Sequence, residues 1–209
     1  MRAGGDEAGG DGGPGLRRAP TSRRGRATVA RVLDAVDCLV AAEGVEAVST
    51  TAVAERAGVA VGTLYQYVDD ADGLVVAALE RHAGAFAEAL ADALEGRPMR
   101  RKRDAANAAL DAFIGYCRQR PAFVALWQAA PGEGLAGERA EDLLVGVVTG
   151  ALVDRGLVAA DDPAYALEAR VQWAVALGLV RLAFRLDPVG DEAVLAHLRR
   201  LFDLDVRTT

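Results

Sequence analysis

The sequence predicts an all-α protein in two parts, a three-helix N-terminal unit and a larger helical body. Three observations carry this. Ala, Leu, Arg and Glu are abundant while β-branched residues other than Val are few, a composition that favours helix over strand. Apolar residues recur at three- and four-residue steps through most of the chain after Thr28, the spacing that gathers them on one helical face. And Ser49 to Val68, STTAVAERAGVAVGTLYQYV, sets two short amphipathic runs either side of a tight glycine-bearing turn, as in a helix-turn-helix. With 209 residues and 52% hydrophobic content the chain can bury a sizeable core. Its formal charge of −6 argues against a protein that coats nucleic acid indiscriminately, while leaving room for a local basic footprint.

Residues 1–15 contain seven glycines and one proline and cannot bury enough apolar surface to offset ordering entropy. Residues 16–27, LRRAPTSRRGRA, add five arginines and no acid. Residues 1–27 are therefore expected to form a disordered, Arg-rich arm. Such a run can be a plain solvated tail; beside a helix-turn-helix, Arg23, Arg24 and Arg26 can neutralise phosphates or enter a minor groove. The arm matters because residues 28–68 carry only Arg31 and Arg56 against Asp34, Asp37, Glu43, Glu46 and Glu55. The N-terminus lacks the apolar run of a signal peptide, and Leu143 to Val153 and Trp173 to Val180 fall short of the roughly 18 to 20 residues that span a bilayer. A cytoplasmic protein with no membrane partner is expected.

The first helix is expected from Thr28 to Glu43, with Val29, Val32, Leu33, Val36, Leu39 and Val40 on one face and Gly44 as its stop. Ser49 or Thr50 caps a second helix reaching Ala57, with Val53 and Ala54 inward. Ala57-Gly58-Val59 forms the turn, where Gly58 supplies φ > 0 and Val59 plugs the space between helices. A third short helix is expected from near Val61 to near Val68, so that residues 28–74 form a DNA-binding domain. In that arrangement the hydroxyls of Thr50, Thr51 and Thr63 and the phenols of Tyr65 and Tyr67 can hydrogen-bond phosphate oxygens without formal charge. Leu64 and Val68 face the small core, which leaves Gln66 free to point at DNA.

These residues identify a resemblance. VAERAGVAVGTLYQYV is similar to the pattern of the tetracycline-repressor (TetR) family of bacterial transcriptional regulators: a helix, an AGV turn, and a Gly-Thr-Leu-Tyr recognition helix. The resemblance covers residues 28–94, and the remaining two thirds match in helical character and length. It implies that Thr50 contacts phosphate and Thr51 a base, that Val61, Gly62 and Thr63 sit at the base-facing end of the recognition helix, and that Tyr65 and Tyr67 grip phosphates. Two positions depart from the family: Ala71 stands where a phosphate-binding lysine is frequent, and Ala60 where a capping serine is frequent. Both are expected to weaken DNA binding, with the arginine arm as the compensating charge. With no Arg or Asn at the reading end, discrimination falls to Val61 against a thymine methyl, to Thr51, Thr63 and Gln66, or to DNA shape.

Residues 75–209 are expected to be a ligand-binding and dimerisation domain. Asp70 caps a helix from Ala71 to Leu94, with Val75, Leu79, Phe86 and Leu90 as its stripe and His82 at the edge as a structural residue. Ala105 to Arg120, Pro121 to Ala130, a helix ending near Arg155 after the link Pro131 to Gly137, Pro163 to Leu186, and Asp191 to Leu204 complete the set. Cys38 and Cys117 form no CxxC and read as buried small hydrophobes. Pro163 to Leu186 carries two apolar stripes: Leu167, Val171, Ala174, Gly178 and Leu182, and Trp173, Leu177, Val180 and Phe184. The resemblance implies that the last two helices pair with their counterparts in a homodimer through Leu167, Val171, Ala174, Gly178, Leu182, Val194, Leu198 and Leu201. It likewise places Phe113, Tyr116, Phe123, Trp127 and Trp173 in an effector pocket for a small apolar or amphipathic molecule; ordinary core is the other reading of these aromatics, and Asn107, Gln172 and Arg118 are the candidate polar anchors.

The expected function is a ligand-responsive repressor that binds a pseudopalindromic double-stranded operator as a homodimer. The alternatives are an effector-binding protein whose DNA-reading head has weakened or been lost, and a helical-bundle enzyme. Against the enzyme, the chain has no HExxH, no Glu-x-x-His pair, no nucleophile elbow and no phosphate loop, so neither catalysis nor a cofactor or metal is expected.

Overall fold

The computed structural model describes residues 16–17, 20–95, 102–129, 135–156, 158–159 and 163–205. Among these, nine α-helices and no strand are found. The Gly-rich stretch 1–15 of the expected arm lies outside them. The chain divides into two compact units, Met1–Glu80 and Arg81–Thr209, so the division falls within a helix rather than at the expected residue 74.

The first unit contains α1 (Arg23–Glu43), a 3₁₀ turn (Val45–Ala47), α2 (Thr50–Ala57), α3 (Val61–Leu64) and the start of α4 (Ala71–Leu94). Helix α1 begins at Arg23, not at Thr28. Ser22 is extended and its Oγ accepts the Gly25 N–H at 3.0 Å, which is the N-cap geometry that satisfies an orphan donor of a first turn. Arg23, Arg24 and Arg26 are thus helical, and the expected disordered arm ends before them. Gly44, at φ 88, closes α1 by donating to the Val40 carbonyl. The expected stripe is the buried one: Val29, Val32, Leu33, Val36, Leu39 and Val40 are all buried, and α1 packs on α2. Each such aliphatic side chain, fully buried, contributes about 1.5–3 kcal/mol. Cys38, expected to be buried, is exposed; it falls between Val36 and Leu39 on the opposite side of the helix from the stripe.

The second unit contains the rest of α4 with α5 (Lys102–Gln119), α6 (Pro121–Ala129), α7 (Leu135–Val153), α8 (Pro163–Leu186) and α9 (Glu192–Asp205). Helix α7 starts inside the segment expected to be a link reaching Gly137. Cys117 is buried, and burial pushes its thiol well above the usual range by penalising the thiolate. The corner between α8 and α9 turns on Gly190, at φ 87, where a Cβ would lie 3.2 Å from both Leu195 and Phe184 side chains. Asp191 then caps α9 by accepting the Val194 N–H at 2.9 Å.

Helix α8 resolves its two stripes. Trp173, Leu177, Val180 and Phe184 are buried, whereas Leu167 is 67% exposed, Val171 55% and Leu182 38%; Ala174 and Gly178 are exposed with them. Leu186 and Val189 extend the exposed apolar row at 61% and 62%. The assignment of Leu198 to a dimer surface is corrected: its side chain is fully buried, as is that of Leu195. The apolar face of α9 is consumed by the core of its own unit. Val194 and Leu201 are half-buried. Among the described residues, no helix is long and apolar enough to cross a membrane.

Candidate nucleic-acid interface

Helix α2 is set by its two ends. Ser49 Oγ accepts the Ala52 N–H at 3.2 Å. At the other end Gly58 adopts the left-handed conformation, φ 63 and ψ 42, and its N–H reaches the Ala54 and Glu55 carbonyls. Val59 then donates to Ala54 at 3.0 Å, so two carbonyls of the last turn are satisfied in a Schellman-type stop. No L side chain adopts the Gly58 conformation without strain.

Helix α3 follows after Ala60, which offers no side-chain cap. It is shorter than expected: its α-helical part is Val61–Leu64, and residues 65–67 continue as a turn. The physical reason is visible in the bonding, because Gln66 and Tyr67 donate to Thr63 and Leu64, three residues back rather than four, which tightens a helix end. Leu64 and Val68 are buried as expected. The remaining side chains of this turn are outward or half-outward: Thr51, Gly62 and Gln66 are exposed, Thr50, Val61, Thr63 and Tyr67 are half-buried, and Tyr65 is 46% exposed.

The structure brings several of the expected contacts together. The Thr50 and Tyr65 hydroxyls lie 3.3 Å apart, joining the first turn of α2 to the end of α3 in one polar spot beside the free N–H groups of a helix N-terminus. Tyr67 points elsewhere. A Cβ placed on Gly25 would meet its hydroxyl, the Pro20 Cβ and the Ser22 Oγ, each at 3.2 Å, so its phenol rests against the start of α1. Arg23, Arg24 and Arg26 are exposed on that same first turn, with no acidic residue there. Cations at a helix N-terminus oppose the macrodipole at a cost of about 0.3–1 kcal/mol each. An arriving anion converts that cost into attraction. Arg56 is already paired, at 3.3 Å from Glu43. At α4 the expected cap is present, with Asp70 Oδ1 accepting the Gly73 N–H at 2.8 Å.

Leu16, to which the sequence assigns no role, and Arg17, expected only as a charge of the arm, both meet this surface. Leu16 lines an apolar hollow with Val32, Leu33, Leu64, Tyr67 and Leu74, and the Arg17 N–H donates to the Tyr67 carbonyl at 2.8 Å. The available signal was that Leu16 and Met1 are the only bulky aliphatic residues before Val29.

In the second unit Phe113, Tyr116, Phe123 and Trp127 form one buried aromatic cluster. Phe123 and Trp127 stack at 6.0 Å, Phe113 meets Trp127 edge-on at 5.5 Å, and Tyr116 meets Phe123 at 5.4 Å. His82 and Phe86 join from α4, and His82 Nδ1 lies 2.8 Å from the Tyr116 hydroxyl. Trp127 Nε1 is buried with no hydrogen-bond partner among the described residues. Arg181, to which the sequence pattern assigns no role, lies over the Trp127 ring at 4.7 Å and donates to the Trp127 carbonyl at 3.2 Å. Trp173 is buried on α8. Of the expected polar anchors, Asn107 is half-buried, and Gln172 donates to Glu168 on its own helix at 3.1 Å. Arg118 is drawn away to the Val189 carbonyl and Glu192. Among the described residues no group of three or more His, Cys, Asp or Glu could hold a metal ion.

Residues 32–78 match the family profile of bacterial regulatory proteins, tetR family, and residues 103–202 match that of the tetracyclin repressor-like C-terminal domain. The HTH-type transcriptional repressor KstR of Rhodococcus jostii (strain RHA1) is 55% identical over 51 residues, 24% of this chain and 24% of that protein. KstR of Mycobacterium tuberculosis (strain ATCC 25618 / H37Rv) is 51% identical over 51 residues, 24% of this chain and 23% of its own length. The match therefore spans about a quarter of these curated relatives. A TetR-family transcriptional regulator from Streptomyces coelicolor superposes with a TM-score of 0.61 at 29% identity, over 84% of this chain and 95% of that one. The fatty acid degradation regulator FadR of Bacillus halodurans shares the fold, with a TM-score of 0.63 at 14% identity over 84% and 94% of the two chains.

Proposed function

The chain belongs to the tetR family of bacterial regulatory proteins, and we propose that it acts as a ligand-responsive repressor gripping a pseudopalindromic DNA duplex as a homodimer. The observation that carries the DNA reading is the surface made by the Thr50–Tyr65 hydroxyl pair with the exposed Arg23, Arg24 and Arg26. Hydroxyls and helix N-termini position a phosphate backbone, and the three arginines supply the charge that the rest of the head lacks. Thr51, Val61, Gly62, Thr63 and Gln66 then read base edges.

The exposed row on α8, Leu167, Val171, Ala174, Gly178 and Leu182, supports the dimer. Contiguous exposed apolar side chains on a helix mark a surface that another chain covers, and the small Ala174 and Gly178 allow two helices to approach closely. A two-fold axis then sets two reading heads about 34 Å apart, one turn of DNA. The aromatic cluster with its unpartnered Trp127 Nε1 supports an apolar or amphipathic effector bearing a hydrogen-bond acceptor. Helix α4 carries residues of both units, and an effector that prefers one of two α4 positions shifts the population away from the DNA-binding state.

A gel shift tests the reading, with a labelled duplex taken from directly upstream of the protein's own coding sequence and excess unrelated duplex as competitor. A retarded, competitor-resistant band is expected. If none forms while apolar ligands still raise the melting temperature, the chain is an effector-binding protein with a lost reading head.

A further inference from the structure

The geometry points to Leu16 as a positioning residue for the recognition turn: with Arg17 it straps the chain onto Tyr67 and holds the DNA-facing residues in the orientation that binding requires. This rests on the DNA-binding reading above, and it assigns the segment before α1 a mechanical role where the composition suggests only an electrostatic one.

Tyr67 is held from two ends. At its carbonyl, the Arg17 N–H donates at 2.8 Å; Leu16 and Tyr67 together line one apolar hollow with Leu33, Leu64 and Leu74. At its hydroxyl, Gly25 lies so close that a Cβ added there would be 3.2 Å from the phenol oxygen. The Arg17–Asp69 ion pair at 3.1 Å has side chains 57% and 68% exposed, and an exposed pair adds little. The hold is therefore the backbone bond and the apolar surface that Leu16 and Tyr67 share around the hollow.

The need for it follows from length. Helix α3 is one turn, Val61–Leu64, and a single turn has no stability of its own. Its direction is decided by what packs on it, and Tyr67 lies one residue beyond Gln66 and two beyond Tyr65, both exposed. One groove contains Arg17, Pro20 and Ser22 together with Tyr65, Gln66 and Tyr67. Displacing the strap releases the turn that carries the phosphate and base contacts, and affinity falls because the free protein must then order that turn on binding.

The test uses the full chain and the upstream duplex as probe, with affinity measured by fluorescence anisotropy across a salt series. Leu16→Ala is expected to weaken binding about tenfold at every salt concentration with the slope of log Kd against log salt unchanged, since no phosphate contact is lost. Leu16→Met, which keeps an apolar side chain of similar volume on the wall of the hollow, restores affinity to within about twofold. Gly25→Ala is the second variant. The added Cβ crowds the Tyr67 hydroxyl together with Pro20 and the Ser22 cap, so binding falls, and a thermal melt of the variant separates loss of α1 stability from displacement of Tyr67. The double variant loses less than the product of the two single losses, because both act on one residue.

Amide exchange in the DNA-free protein tests the strap separately: the Arg17 N–H is protected in the native chain and exchanges freely in Leu16→Ala. Native-like affinity of both single variants, a shallower salt slope in Leu16→Ala, or an unprotected Arg17 amide in the native chain each overturns the proposal. A native chain that fails to retard the duplex while its Arg17 amide is protected instead removes the DNA-binding reading and leaves the strap without a DNA to position for.

Discussion

The recognition turn and the outer face of α8 are both exposed, and they expose opposite chemistry. Around Tyr65 the surface offers hydroxyls, backbone N–H groups and the arginines of a helix start. Along α8 it offers Leu167, Val171, Leu182 and Leu186, between 38% and 67% exposed, a mainly apolar row with the exposed Arg185 at its C-terminal end. Water solvates the first surface well and the second poorly. Under the proposed function, the first surface suits a partner that carries negative charge and acceptors, and the second a partner that is apolar and complementary in shape. A second copy of the same stripe satisfies the latter.

Four substitutions test this contrast. Val171→Glu puts a charge in the centre of the apolar row. It is expected to yield a monomer by sedimentation velocity and to weaken operator binding by roughly 10²- to 10⁴-fold, the factor that linked binding of two heads provides. Leu198→Ala acts on the neighbouring helix but on the inside. It should lower the stability of the second unit by about 2–5 kcal/mol in a denaturant titration while leaving the oligomeric state of the folded protein unchanged; dissociation of the folded dimer would return Leu198 to the interface.

In the first unit, replacing Arg23, Arg24 and Arg26 by Ala tests the charge. The slope of log K against log salt should fall by about 0.9 for each phosphate contact removed, whereas Val171→Glu leaves the slope per bound head as it was. Tyr65→Phe is the smallest of the four. It keeps the ring and removes one hydroxyl of the Thr50–Tyr65 pair, at an expected cost of about 1.5–3 kcal/mol for a hydrogen bond to a charged group, measured as the change in Kd at fixed salt.

Much of the head was legible because its signals are local. Ser49, Gly58 and Asp70 act within three or four residues of themselves, and each does in the structure what its position suggested. The early start of α1 was not read because five arginines outweighed a quieter signal, Ser22 three residues before Gly25. Tyr67 was paired with Tyr65 since both are phenols in one turn; their separation depends on Pro20 and Gly25, more than forty residues away in sequence, which no local pattern carries. In the body, periodicity found every helix but could not say what covers each face. A buried stripe and an interface stripe share the same 3.6-residue repeat, so Leu198 and Leu167 looked alike. Side-chain size was the usable difference on α8: the aromatic stripe of Trp173 and Phe184 turned inward, and the stripe with Ala174 and Gly178 turned out. The aromatic cluster was found as residues, while its links to His82 and Arg181 are contacts between helices distant in sequence.

The central claim, that one surface meets DNA and the other meets a second copy, is tested most directly by the stoichiometry of the complex. Sedimentation velocity on a labelled duplex from upstream of the gene, titrated with the full chain, should show free duplex converting to a single species that carries two chains, with Val171→Glu failing to form it at the same concentration. A complex carrying one chain, or one that Val171→Glu forms as readily as the native protein, would contradict the account.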